Sequence, residues 1–264
     1  MPLNMLLVID VGNTNTVMGI FQKDDLVTSW RIRTERRTTG DEFSVLASGL
    51  FKGSNIQFKD IRRTIISCVV PPVVDVYNAF CMKYLNHAPE WIDAVSTGIM
   101  PILYGNPSEV GADRIVNAVG AYSKYKKSLI IVDFGTATTF DAVSEHGEYL
   151  GGAISPGIMI SAEALFTNAS KLPRVELFTP PQRVVGKDTT ESLKSGVIFG
   201  YGGLVDGIVR RMKAEMGTNP SVVATGGLAE MMGSVSGSID AIEPDLTLEG
   251  LKIISSAKDS VTSS

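Results

Sequence analysis

Apolar and polar positions along the chain follow two periods. Short runs rich in Val and Ile, bounded by turn residues, predict buried strands. Met5–Asp10, Val17–Gln22 and Leu26–Arg33 form one set, with the turn Lys23-Asp24-Asp25 separating the last two. Leu129–Asp133, Thr139–Val143 and Tyr149–Ile154 form a second, with the turn His146-Gly147-Glu148. In each set the first two strands are joined by Asp-x-Gly-Asn/Thr. That turn predicts a hairpin, because Gly and Asn tolerate the positive φ of a tight reversal. One pattern therefore occurs twice, at Leu6–Phe21 and Leu129–Val143, and implies duplicated halves facing each other across a cleft.

Between these sets the period lengthens. Thr39-Gly40-Asp41-Glu42, followed by Phe43, Leu46, Ala47, Leu50 and Phe51, predicts a helix start and an amphipathic helix that Gly53-Ser54-Asn55 ends. Arg63–Val70 reads as a buried strand, and Pro71-Pro72 opens a helix over Val73–Leu85. Further helices are predicted over Ile115–Tyr122, Ile158–Asn168 and Ser192–Met212, the last interrupted by Gly200, Gly202, Gly203 and Gly207. Val222–Gly227 reads as a strand ending in Thr-Gly-Gly, and the Ser-rich tail Lys252–Ser264 is expected to fray. The expected division is 1–115 and 116–255, with 256–264 as the frayed tail.

Composition narrows the class. The chain has 264 residues, 44% of them hydrophobic, enough for one large domain or two ordinary ones. A net charge of −4 and a pI near 5.3 give no sign of bulk nucleic-acid or membrane-surface binding. Cys68 and Cys81 lack CxxC spacing and read as core thiols of a reducing compartment. The start, MPLNMLLVID, lacks a basic leader and no apolar run reaches transmembrane length, so a cytoplasmic protein is expected.

The hairpin turns carry the chemistry. A strand-ending carboxylate, Asp10 or Asp133, can hold a cation directly or through water, and the adjacent Gly12 or Gly135 lets backbone N–H groups approach an anion. Thr14, Thr16, Asn13 and Asn15 add donors in the first copy, and Thr136, Thr138 and Thr139 in the second. No GxxxxGK[ST] occurs, so this is a phosphate cradle without a P-loop. Asp113 and Arg114, in Gly111-Ala112-Asp113-Arg114, stand at a helix start, where Asp113 suits a general base and Arg114 an anion. Arg31, Arg33, Arg36 and Arg37 form a cluster best read as a solvated strand end. The long Pro-rich connection Leu172–Thr190 is the kind of loop that tends to be functional. His87 and His146 are isolated and receive no role.

The paired hairpins resemble the acetate and sugar kinase, actin and DnaK-type chaperone superfamily. Within it, DVGNTNT at Asp10–Thr16, GADR at Gly111–Arg114, DFGTATT at Asp133–Thr139 and GGAISPG at Gly151–Gly157 are together similar to the type III pantothenate kinase family, in the family's order. The resemblance runs from the first strand to about Gly227. It implies two ribonuclease-H-like domains of the actin-like ATPase fold, with mixed sheets flanked by helices. It also implies ATP-dependent phosphorylation of pantothenate to 4'-phosphopantothenate, the first step towards coenzyme A.

By the same resemblance, ATP and its phosphates lie at Asp10, Val11, Gly12, Asn13, Thr14, Asn15, Thr16, Val17 and Thr136. Pantothenate meets Tyr104, Gly111, Ala112, Asp113, Arg114 and Thr189, with Thr190 the alternative to Thr189. Asp113 is the implied catalytic base. Mg²⁺ comes with ATP at Asp10, and a monovalent cation, K⁺ or NH₄⁺, lies at Asp133; oxygen-ligand chemistry alone leaves the two cations open at Asp133. A homodimer is implied, with no nucleic-acid or membrane partner. The alternatives are another small-molecule kinase of the superfamily, or a non-catalytic nucleotide-binding regulator, which would have shed Asp10, Asp113 or Asp133.

Overall fold

Strand β1 (Met5–Val11) sits at the middle of a five-stranded sheet. It pairs antiparallel with β2 (Asn15–Gln22), which pairs antiparallel with β3 (Asp25–Arg33). On its other edge it runs parallel to β4 (Ile61–Cys68), followed by the short β5 (Glu90–Ile92). The order is β3-β2-β1-β4-β5. This computed structural model describes residues 3–93, 98–169 and 171–262.

The second sheet repeats the plan. Strand β6 (Leu129–Phe134) pairs antiparallel with β7 (Ala137–Val143), and β7 with β8 (Tyr149–Pro156). Its other edge runs parallel to β9 (Ser221–Thr225), which carries the two-residue β10 (Ala241–Ile242). Read from the third strand of each hairpin set, the two sheets have the same order and the same strand directions. The duplicated α/β architecture expected from the paired hairpins is present.

Helices cover both faces of the first sheet. Helix α1 (Gly40–Gly53) starts on a capping box: Thr39 Oγ1 accepts from Glu42 N at 3.2 Å, and Glu42 Oε2 accepts from Thr39 N at 2.8 Å. It buries Phe43, Ala47 and Phe51, while Leu46, expected on the same face, is exposed. Helix α2 (Val74–Phe80) follows a 3₁₀ turn at Pro71–Val73 and widens into a π-helical turn at Cys81–Leu85. Phe43 packs edge-on against Tyr77 and Phe80, each at 4.8 Å between centroids. On the opposite face, a Cβ placed on Gly19 of β2 would lie 3.0 Å from Leu248, and one on Gly250 would lie 2.2 Å from Val116 O. These close approaches seat α3 (Ala112–Tyr125) and α7 (Leu246–Thr262).

The second sheet packs Ile130, Val132, Phe140, Val222 and Ala224 against Tyr201, Val205 and Val209 of α5 (Thr189–Met216), with Ile158 of α4 (Ile158–Asn168). Helix α6 (Ala229–Gly233) adds Ala229 and Met232. Asp188 caps α5 by accepting from Glu191 N at 2.8 Å, so that helix starts before the expected Ser192.

The chain divides into two units, Met1–Met100 with Gly105–Gly120 and Thr247–Ser264, and Pro101–Tyr104 with Ala121–Leu246. The expected fraying of Lys252–Ser264 is not what forms. Residues through Thr262 are helical, because Leu248, Leu251 and Ile254 form a buried apolar stripe along α7. Residues 263–264 of that tail lie outside the described residues.

Candidate active site

In the first unit, Asp10 is the penultimate residue of β1, in register with Val17 of β2 and Ser67 of β4. The turn closes with Gly12 N donating to Asn15 O at 3.0 Å. Gly12 does not have a left-handed φ, contrary to the reason expected for it; a Cβ there would sit 3.0 Å from Asn15 O, so the requirement is for close approach. Asn13 and Thr14 are exposed and Asn15 is half-buried. Thr16, expected among the phosphate donors, is fully buried. Its Oγ1 lies 3.0 Å from Thr34 Oγ1 and 3.2 Å from the Tyr77 hydroxyl. Cys68, the β4 residue after Ser67, has its thiol pushed up chiefly by burial, with the nearby Asp10 charge adding to the shift.

The second unit has the equivalent arrangement. Asp133 is the penultimate residue of β6, in register with Thr139 of β7 and Thr225 of β9. Gly135 N donates to Ala137 O at 3.1 Å, so this turn is one residue tighter. Thr136 is exposed. Thr138 is buried and accepts from the Tyr201 hydroxyl at 2.9 Å, and Thr139 donates to Asp141 Oδ2 at 3.0 Å. The Thr138 hydroxyl thus ties β7 to α5 and the Thr139 hydroxyl bonds within β7, while Thr136 is the exposed one of the three.

Two glycines press on this turn. Gly157 N donates to Thr136 O at 3.1 Å, and a Cβ on Gly157 would fall 2.3 Å from that oxygen. Gly226, at the end of β9, has φ of +90°, and its Cβ would fall 2.5 Å from Asp133 Oδ1. The Thr-Gly-Gly signal after β9 therefore marks the neighbour of Asp133.

The Asp113–Arg114 pair opens α3. Asp113 Oδ1 folds back to accept from Arg114 N at 2.8 Å. A Cβ on Gly111 would lie 2.5 Å from the same oxygen, which explains the glycine of this motif. Ala112 and Arg114 are buried and Asp113 is half-buried. Burial pushes the Asp113 carboxyl above the ordinary carboxylate range, and the Arg114 amide and guanidinium only partly offset it.

Tyr104, in the second unit, is held beside β8. Leu103 N donates to Tyr149 O at 2.8 Å and Tyr149 N to Pro101 O at 2.9 Å. The Tyr104 ring is half-exposed and lies against Gly151, whose φ is +111°. Thr189 is exposed at the first turn of α5, immediately after the cap Asp188, as is Thr190.

Among the described residues no three His, Cys, Asp or Glu side chains converge as a metal cage. The donor chemistry at Asp10 and Asp133 still suits oxygen-seeking cations that take most of their ligands from phosphate, backbone carbonyls and water. Sequence reasoning missed Thr34, Tyr77 and Tyr201, which support these hairpins through contacts distant along the chain.

The profile of the family described as type III pantothenate kinase matches residues 6–211. The chain belongs to the type III pantothenate kinase family. Relatives named type III pantothenate kinase include one from Desulfatibacillum aliphaticivorans, 62% identical over 95% of this chain and 97% of its own length. Another, from Desulfosudis oleivorans, is 61% identical over 97% of this chain and 100% of its own length. Among solved structures, a Campylobacter jejuni protein described as a conserved Baf-family transcriptional activator superposes with a TM-score of 0.60 at 19% identity, covering 96% of this chain and 99% of that one. A Sinorhizobium meliloti protein described as a 2-dehydro-3-deoxygalactonokinase gives 0.58 at 11% identity, covering 96% of each chain. At these identities the two structures share the fold, the duplicated ribonuclease-H-like pair.

Proposed function

We propose that this kinase transfers the γ-phosphoryl group of ATP to the primary hydroxyl of pantothenate, the first step of coenzyme A biosynthesis, using the residues described above. The observation that carries the assignment of roles is the Asp113 carboxyl, folded onto the start of α3 beside the buried Arg114 and raised by burial. A carboxylate raised above its ordinary range is a better proton acceptor near neutral pH.

Asp113 orients the pantothenate hydroxyl and takes its proton as the oxygen attacks the γ-phosphorus in line. Arg114 supplies planar donors to anionic oxygens. The Gly12–Thr14 backbone and the Asn13 and Thr14 side chains hold ATP phosphates, with Val11, Asn15 and Val17 framing the turn, Thr16 bracing it from beneath, and Thr136 contacting ATP. Tyr104, Gly111, Ala112 and Thr189 contact pantothenate. Asp10 would hold Mg²⁺, through water where needed, and Asp133 a K⁺ or NH₄⁺ ion; bound there, these cations neutralise charge on the phosphoryl oxygens.

The protein acts as a homodimer in the cytoplasm. Exposed apolar side chains such as Ile154, Val184 and Val185 support association. Among the described residues no helix is long and apolar enough to cross a membrane.

The test is mass-spectrometric detection of phosphopantothenate from purified protein, ATP and Mg²⁺, in KCl and in NaCl, with Asp113→Asn alongside. Product that requires K⁺ and disappears in the variant supports the substrate, the cation and the base. No product from folded protein in either salt would overturn the pantothenate assignment.

A further inference from the structure

The segment Thr34–Arg36 follows β3 and lies outside every motif that suggested function. Its Arg36 was expected to face water. It nevertheless grips the Gly12–Thr14 turn at three points. Thr34 Oγ1 donates to Gly12 O at 2.7 Å, and Thr34 N donates to Thr14 O at 3.0 Å. Arg36 Nη2 donates to Asn13 Oδ1 at 3.0 Å.

The grip is anchored in the core. Thr34 Oγ1 also lies 3.0 Å from Thr16 Oγ1, and Thr16 Oγ1 lies 3.2 Å from the Tyr77 hydroxyl. Tyr77 is buried on α2, with its ring edge-on to Phe43. Burial pushes the Tyr77 hydroxyl up to about 12, so it stays protonated as a hydrogen-bonding group throughout the physiological range. Three side chains, from β2, α2 and the β3–α1 connection, thus meet at one turn, and α1 packs on the one from α2.

The direction of the bonds matters more than their number. A trans peptide points its C=O and its N–H to opposite sides. The described peptide bonds are trans. With the Gly12 carbonyl turned onto Thr34, the Asn13 N–H of the same peptide faces the other way. On its other side Gly12 is held by its own N–H, which donates to Asn15 O at 3.0 Å. A backbone N–H fixed in advance is what an anion-binding turn requires, because no ordering cost remains for the ligand to meet.

We propose that Thr34 is a positioning residue for ATP: by holding the Gly12 carbonyl it aims the Asn13 N–H at a phosphate oxygen, while Arg36 restrains the Asn13 side chain. The proposal rests on reading this turn as the ATP phosphate cradle. It adds a residue that touches neither substrate.

The test compares Thr34→Val, which keeps the shape and loses the hydroxyl, with Thr34→Ser, which keeps the hydroxyl. Each is assayed with ATP varied at saturating pantothenate and the reverse, and titrated calorimetrically with Mg·ADP. The expected result for Thr34→Val is an ATP KM and an ADP Kd raised about tenfold, the ~1.4 kcal/mol on the scale of one hydrogen bond. The pantothenate KM stays unchanged, and Thr34→Ser restores wild-type values. Thr34→Val binding Mg·ADP as tightly as wild type overturns the proposal and leaves the ATP reading standing. Equal rises in both KM values, or a Ser variant as impaired as the Val variant, mark Thr34 as general support and also overturn it. Wild-type protein that fails to bind Mg·ADP overturns the reading of the turn, and the proposal with it.

Discussion

The Tyr149 hydroxyl donates to Asp141 Oδ1 at 2.7 Å, with both side chains fully buried. Thr139 serves the other carboxyl oxygen. A buried carboxyl group is costly unless its oxygens find donors. Tyr149→Phe removes one donor and is expected to cost ~1–3 kcal/mol, measured by urea unfolding. Tyr149 also holds Pro101 and Leu103 through its backbone and faces the Tyr104 ring at 6.5 Å. The pantothenate KM should therefore rise more than the ATP KM.

Asp113 gives a pH prediction with a definite sign. Its folded carboxyl is raised by burial. At pH below the ordinary carboxylate range, folded and unfolded chains both hold the proton and nothing is lost. As pH rises through that range the unfolded chain releases its proton first, so stability falls until the folded group also ionises. Asp113→Asn escapes this loss and should be at least as stable as wild type at neutral pH by thermal unfolding. Its kcat should drop about 10²–10⁴-fold. The acid limb of wild-type kcat should lie above the ordinary carboxylate range.

Gly226→Ala tests the neighbour of Asp133. The new methyl would meet Asp133 Oδ1 in a backbone region that disfavours side chains. A cost of about 1–3 kcal/mol is expected from the strain. Because the methyl displaces the Asp133 carboxylate, the KCl concentration for half-maximal activity should rise. An unfolding curve and a KCl titration together separate the two effects.

The association state is checked by sedimentation, where a mass about twice 28.3 kDa is expected. Ile154, 66% exposed on β8, is the position to alter. Ile154→Lys should shift the protein towards monomer.

The sequence made the hairpins, their carboxylates and α1 legible, because each is written in neighbouring residues: a Val/Ile run, an Asp-x-Gly turn, a Thr39–Glu42 cap. The edge strands β5 and β10 were not, since three and two residues carry no period to detect. Local spacing could place Thr14 and Thr16 near one turn, but not say which hydroxyl faces inward. That depends on Tyr77, 61 residues away along the chain. Polar composition suggested fraying after Lys252, whereas Leu248, Leu251 and Ile254 show the helical stripe once the partner surface exists. The resemblance to a kinase family carried the roles that no spacing could.

Helix α7 belongs with the strands that open the chain. Thr247 Oγ1 donates to Asn117 at 2.7 Å, Lys252 pairs with Asp24, and Ser255 O accepts from Arg63 at 3.1 Å. On the ribosome, the half that carries Asp10 and Asp113 must therefore wait for residues made after the other half has emerged. Nascent β1–β4 would lack the apolar stripe of α7 throughout that interval, and transiently uncovered apolar surface of this kind is prone to aggregate. A stop codon just before Thr247 would accordingly strike the Asp10–Gly12 turn at the far end of the sequence.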